Sequence, residues 1–273
     1  MLDIRHAAGT AHLKFVRHGP DTVLARSFAT SPVKVFATKA GRTACWAYTA
    51  TLGGGLVGGD EIRMTAEVEA DARALLTTQA STKIYRSTRG ATQSLFAMVR
   101  ARGLLAVLPD PIVCFSSAAF TQTQTYELSA DASLVVVDWM TSGRHASGER
   151  WAFSRYESRI AIERDGRPVF YDAVLLESDL DSVGDRMGRF DVFLTAVLSG
   201  PLVAQGAEEI VQSIARTPVR GQADMIQAAS KTSDGGILLR IAGTSVEEVG
   251  RTVRDSFAFL SSLLGDDPWS RKW

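Results

Sequence analysis

Residues 52–87 read LGGGLVGGDEIRMTAEVEADARALLTTQASTKIYRS. Gly53, Gly54, Gly55, Gly58 and Gly59 fall within seven positions. So dense a run implies backbone at positive φ or in very close contact with another chain segment, since only glycine takes both without strain. From Ile62 to Val68, apolar Ile62, Met64, Ala66 and Val68 alternate with Arg63, Thr65 and Glu67. That period of two predicts a half-buried strand, expected to be antiparallel. The stretch closes on a polar, basic segment, Thr77 to Ser87.

Strand signals continue along the chain. Leu134–Val137 is a short apolar run suited to burial on both faces. Asp165-Gly166 between two apolar segments predicts a tight hairpin. The apolar phase shifts between Trp151/Phe153 and Tyr156/Ile160/Ile162, which predicts a bulge or a strand passing from one packing environment to another. Two helices are expected late. Residues 207–215 precede Pro218, and residues 245–264 carry a Ser245/Glu248 capping box, a stripe of Val246, Val249, Val253, Phe257, Leu260 and Leu264, and Gly265 as stop. No repeat or linker is apparent. The expected fold is one mainly-β domain over residues 1–273, large and antiparallel, with about two helices toward the C-terminus.

Composition excludes several classes. Thirty basic and thirty acidic residues cancel, so no global field draws the chain to nucleic acid or an anionic membrane. No apolar run approaches the ~20 residues of a membrane span, and the N-terminus lacks a signal-peptide core. Cys45 and Cys114 form neither a disulfide framework nor a metal clip and are read as small core residues. A reducing, cytoplasmic setting is expected. His6, His12 and His18 recur every six residues, roughly 20 Å along a strand, too far apart for one ion.

Chemistry concentrates in Asp138-WMTSGRHASGER-Trp151. Asp138 or Glu149 as acid–base, Ser142 or Ser147 as nucleophile and His145 as base would suit a hydrolase. No Gly-x-Ser-x-Gly elbow is present. The alternative reading pairs Asp138 and Glu149 with Arg144 and Arg150 at a strand corner. The glycine run could likewise nest an anion, but it lacks the Lys-Ser/Thr ending of a phosphate loop and leads into a strand.

The glycine run closing in Gly59-Asp60, followed by a strand and by Thr77-Thr-Gln-Ala-Ser-Thr-Lys-Ile-Tyr-Arg-Ser87, resembles the urease accessory protein UreD (UreH) family. The resemblance extends to Leu108–Pro111 with Phe115, the block from Asp138 to Trp151, residues 172–176, and the late helix with Arg254 and Phe257. It departs at Leu52, where family members often carry proline. The resemblance implies a right-handed, β-helical-like winding of strands. It also implies a non-catalytic chaperone that inserts nickel into apo-urease, bridging it to the helical accessory protein UreF and the nickel-carrying GTPase UreG. Ni²⁺ would be transient cargo on an internal route, with no tightly bound cofactor. Candidate partner-binding residues are Gly54, Gly55, Gly59, Lys83, Tyr85, Arg86 and Arg144. Asp60, Asp138, Glu149, Asp172 and Glu177 are the candidate carboxylates of the metal route.

Overall fold

A computed structural model describes residues 8–38, 43–178, 182–218 and 221–270. The first half contains β1 (Gly9–His18), β2 (Asp21–Ala29), β3 (Val33–Thr38), β4 (Cys45–Thr51), β5 (Glu61–Val68), β6 (Arg73–Thr78), β7 (Thr82–Ile84), β8 (Ala91–Val99) and β9 (Leu104–Val107). Then come β10 (Ile112–Cys114), β11 (Ala119–Leu128), β12 (Ser133–Thr141), β13 (Arg155–Arg164), β14 (Arg167–Glu177), α1 (Val183–Met187) and β15 (Val192–Ser199). The chain ends with α2 (Ala204–Arg216), β16 (Met225–Lys231), β17 (Ile237–Gly243), α3 (Val246–Ser256) and α4 (Leu260–Leu264).

Strands build two sheets, ordered β14-β13-β11-β8-β5-β1-β2 and β16-β17-β15-β12-β9-β6-β4-β3. The chain alternates between them: β5, β8, β11 and β13 lie parallel in one, β4, β6, β9 and β12 parallel in the other. Antiparallel pairing occupies the margins, as in β1–β2, β3–β4 and β13–β14. The mainly-β expectation holds, whereas the expected antiparallel pairing of residues 62–68 does not: β5 runs parallel to both neighbours. Alternation reports which face is buried and is silent on the direction of the neighbouring strand.

The corners of the winding repeat one backbone shape. Tight turns at 69–72, 100–103 and 129–132 each close through a backbone bond, from Ala72, Gly103 and Ala132 N–H. Leu104 N–H donates to Ala72 C=O and Ser133 N–H to Gly103 C=O, stacking one turn on the next. Asp71, Arg102 and Asp131 alternate in charge up this stack.

One core fills the space between the sheets, including Phe15, Leu95, Phe120, Val136 and Tyr156. A second lies between the outer face of the β12-containing sheet and α2, α3 and α4, where Trp46, Leu194, Ile210, Val253 and Phe257 meet. Among the described residues there are four helices rather than two. The helix expected over 245–264 breaks at residues 257–259, although Phe257, Leu260 and Leu264 stay buried. Ser245 does cap α3, its hydroxyl accepting from Glu248 N–H.

The Asp165-Gly166 hairpin forms as expected, with Arg164 opposite Arg167. The bulge lies between Ile162 and Glu163 instead of near Tyr156. Trp151 and Phe153 precede β13, Trp151 at φ 52°, so the apolar phase shift marks a strand start.

Candidate functional site

The two motifs of residues 52–87 fold against each other. Leu56 N–H donates to Lys83 C=O at 2.8 Å and Tyr85 N–H to Leu56 C=O at 2.9 Å. A Cβ at Gly55 would lie 2.5 Å from Lys83 O and 2.6 Å from Tyr85 Cε2. Gly53, Gly54 and Gly59 have φ of 81°, 74° and 87°, the left-handed region that glycine takes without strain. Gly55 is extended, and contact is what restricts it.

Tyr85 packs edge-on against Phe115, centroids 5.0 Å apart, and the Arg144 guanidinium sits 4.3 Å over the Phe115 ring. Glu149 clamps Arg144 through two oxygens and accepts Ser116 N–H at 3.1 Å. Arg144 holds the Glu149 carboxyl below its ordinary range. Thus the glycine loop, Lys83–Arg86, Phe115 and Arg144 form one continuous corner, with Lys83 and Arg86 exposed. Gly55 lies buried within it and Gly54 is exposed.

The five candidate carboxylates are dispersed. Asp60 accepts Val57 N–H at 2.8 Å and closes the glycine loop. Asp172 pairs with Arg240, and Glu177 with Arg155 at 3.2 Å. Arg63 and Arg159 take Glu61 and Glu157. The expected corner pairing is half met: Glu149 takes Arg144, whereas Arg150 binds Asp191 at 2.6 Å and Asp138 meets no arginine among the described residues. No group of three or more histidine, cysteine, aspartate or glutamate side chains with metal-holding geometry occurs among the described residues.

Asp138 lies between the sheets. In β12, Leu134, Val136 and Met140 face the inter-sheet core while Val135 and Val137 face the helices. Asp138 shares the inward row. Its carboxylate accepts from Gln122 Nε2 at 3.0 Å, Tyr156 OH at 3.3 Å and Ser158 Oγ, all from the opposite sheet. Burial pushes the carboxyl above its ordinary value, the three donors oppose the rise, and Asp172 adds to it. Beside it, Tyr126 OH donates to Gln124 Oε1 at 2.6 Å.

Asp138 lines a small cavity, about 50 Å³, together with Thr77, Gln93, Asp110, Gln122 and Gln124. A larger one of about 530 Å³ shares Thr49, Thr78 and Asp110 with it, and an apolar one of about 300 Å³ under α3 shares Asp110 and Trp139. Asp110 therefore borders all three, its carboxylate accepting Thr78 Oγ1–H at 3.0 Å. The residue-level reading missed Asp110, Gln122 and Gln124 as interior groups. Alternation in β11 could have found the glutamines, because Phe120, Tyr126 and Leu128 set the inward row on which they fall.

The hydrolase constellation is not brought together. His145 is exposed and its Nε2 lies 3.1 Å from Asp191, Ser142 is buried, and Ser147 sits in an exposed turn. His12 is exposed with its ring near Phe28, and His18 is exposed at the end of β1, while His6 lies outside the described residues. Cys45 and Cys114 are buried thiols whose pKa burial raises. Among the described residues no helix is long and apolar enough to cross a membrane.

Fold and interior together define a class: a strand-wound, two-sheet protein with a polar seam between its sheets. A family model described as UreD urease accessory protein matches residues 7–273. The chain is 47% identical to the urease accessory protein UreD of Sorangium cellulosum, covering 97% of this chain and 85% of that relative. It is 41% identical to the corresponding UreD of an Anaeromyxobacter species, covering 97% and 89%. With the urease accessory protein D of Oryza sativa subsp. indica it shares 34% identity over 96% of each chain. The chain belongs to the UreD urease accessory protein family. That membership carries an accessory role in urease maturation.

Proposed function

We propose that the chain is a non-catalytic scaffold that passes Ni²⁺ to apo-urease in the cytoplasm, assembled with the helical partner UreF and the nickel-carrying GTPase UreG. The observation that supports this reading best is the polar seam. Asp138 and Asp110 are buried among threonine hydroxyls and glutamine amides, lining one small cavity between the sheets. Burying a carboxylate that has hydrogen-bond donors but no cationic partner among the described residues, as at Asp138, still costs desolvation energy. Oxygen donors spaced along a passage hold a borderline divalent ion loosely, whereas a closed thiolate–imidazole set would retain it.

On this reading the carboxylates divide. Asp138 and Asp110 face the passage, while Asp60, Glu149, Asp172 and Glu177 shape the walls through their backbone or arginine partners. The corner of Lys83, Tyr85, Arg86 and Arg144 is the proposed partner contact, since tyrosine and arginine concentrate binding energy at interfaces. Gly54, Gly55 and Gly59 set its shape. Deleting the gene should leave urease polypeptide present but largely without nickel, and normal nickel content in the deletion strain would end this reading.

A further inference from the structure

We propose that a pocket between Arg17 and Arg73, at the turn end of the winding, binds a small oxyanion of the carboxylate or phosphate class. The pocket is about 550 Å³ and shares no lining residue with the three cavities along the seam. Its walls include Arg17 at the end of β1, Arg73 at the start of β6, Arg102 and Asp71 from the stacked turns, Asp131 and Leu202.

Charge does not balance here although it balances over the whole chain. Arg102 is neutralised by Asp71 through two bonds of 2.7 Å, and Asp131 accepts the Arg102 backbone N–H at 3.0 Å. Arg17 and Arg73 have no carboxylate within ion-pair distance among the described residues. Three guanidinium groups against two carboxylates leave one positive charge in the pocket. A single negative charge would close the account.

Both unpaired guanidinium groups are already held in place. Arg17 Nε donates to Gly19 C=O at 2.7 Å, and Arg73 Nη1 donates to Leu263 C=O at 3.0 Å. Arg73 is also fixed at its backbone, where its N–H meets Thr22 Oγ1 at 2.9 Å. Each guanidinium keeps further N–H groups in a planar fork that fits a carboxylate or phosphate bidentately. Burial first, and then the neighbouring Arg17 charge, hold Arg73 below the ordinary arginine range, so an anion between them would relieve a repulsion present without it. One net charge in a concave pocket suits a small ion better than an extended polyanion.

The test is thermal melting of the full chain with added inorganic phosphate, or with acetate, against chloride at equal ionic strength and pH. Phosphate, acetate or both should raise the melting temperature progressively with concentration, as a ligand of the folded state does. Arg17→Gln should abolish that rise, and calorimetry should show at least tenfold weaker anion binding. Arg63→Gln, on an exposed strand position away from the pocket, should keep it. A response to acetate alone would identify a carboxylate ligand, and a response to phosphate alone a phosphate-class one. No shift beyond chloride, or a shift that survives Arg17→Gln, would overturn the proposal. Arg73→Gln is the second variant, and Arg17→Gln decides the matter if Arg73→Gln fails to fold.

Discussion

Gly58 packs so tightly on Ser87 that a Cβ added to Gly58 would sit 1.4 Å from Ser87 Oγ and 2.4 Å from Ser87 Cβ. The glycine run and the Lys83–Ser87 segment are thus two halves of one contact. Gly58→Ala should destabilise the protein by about 1–3 kcal/mol through overpacking. Adding Ser87→Gly should restore much of the loss, because the clash is with that side chain and the Ser87 Cα lies 3.5 Å away. Gly54→Ala meets nothing within 4 Å and should lose only about 1 kcal/mol, from its positive φ. Urea denaturation of the single and double variants gives the coupling directly. Additive losses in Gly58→Ala/Ser87→Gly would show that the two segments do not bear on each other.

The corner above that contact separates shape from recognition. Arg86→Ala removes an exposed side chain with no partner bond among the described residues, so melting should not change. Arg144→Ala removes the cation over Phe115 and frees Glu149. Both variants should weaken co-purification with the accessory partners, Arg144→Ala with a small stability loss as well. If both assemble at native yield, the partner surface lies elsewhere.

Some of this was legible in residues and some was not. The glycine–Asp60 turn, the Asp165-Gly166 hairpin and the Ser245 cap are local and sequence alone located them. The parallel winding was not, since the turns at 69–72, 100–103 and 129–132 repeat a backbone shape that four-letter segments too short to stand out, EADA, RARG and SADA, only partly share. Asp138 was singled out, yet its surroundings were misjudged. Its partners stand 16 to 20 residues away along the chain, on the opposite sheet. Only the crossover topology brings them there.

The buried Asp138 carboxyl makes a pH prediction with a definite sign. Its folded pKa lies above its unfolded value, so the folded state binds the proton more tightly. Its contribution to stability is therefore most favourable at low pH and falls as pH rises through the window between the unfolded and folded values. Asp138→Asn carries no such charge. Its stability relative to the native chain should increase between pH 4 and pH 8, as the native carboxyl is forced to ionise in its buried site. Urea unfolding of both proteins across that range measures the difference. A constant difference would mean that the carboxyl titrates normally despite its burial.

The last prediction concerns the seam as a passage. Amide replacements keep shape and remove charge, so they distinguish residues that face the cargo from residues that hold the wall. Asp60→Asn, Glu149→Gln, Asp172→Asn and Glu177→Gln each weaken a contact to a backbone N–H or an arginine. Their effect on urease activation should therefore follow any loss in yield of the accessory complex. Asp138→Asn and Asp110→Asn act where the cavities adjoin, and Asp110 borders all three. Those two should assemble at native yield and still slow activation of purified apo-urease, because a neutral amide oxygen attracts Ni²⁺ less than a carboxylate does. Their double variant should be slower than either alone. Native activation rates in Asp138→Asn, Asp110→Asn and the double variant together would rule out a carboxylate-lined passage, leaving the Thr77 and Thr78 hydroxyls and the Ser81 segment as the oxygen donors to test.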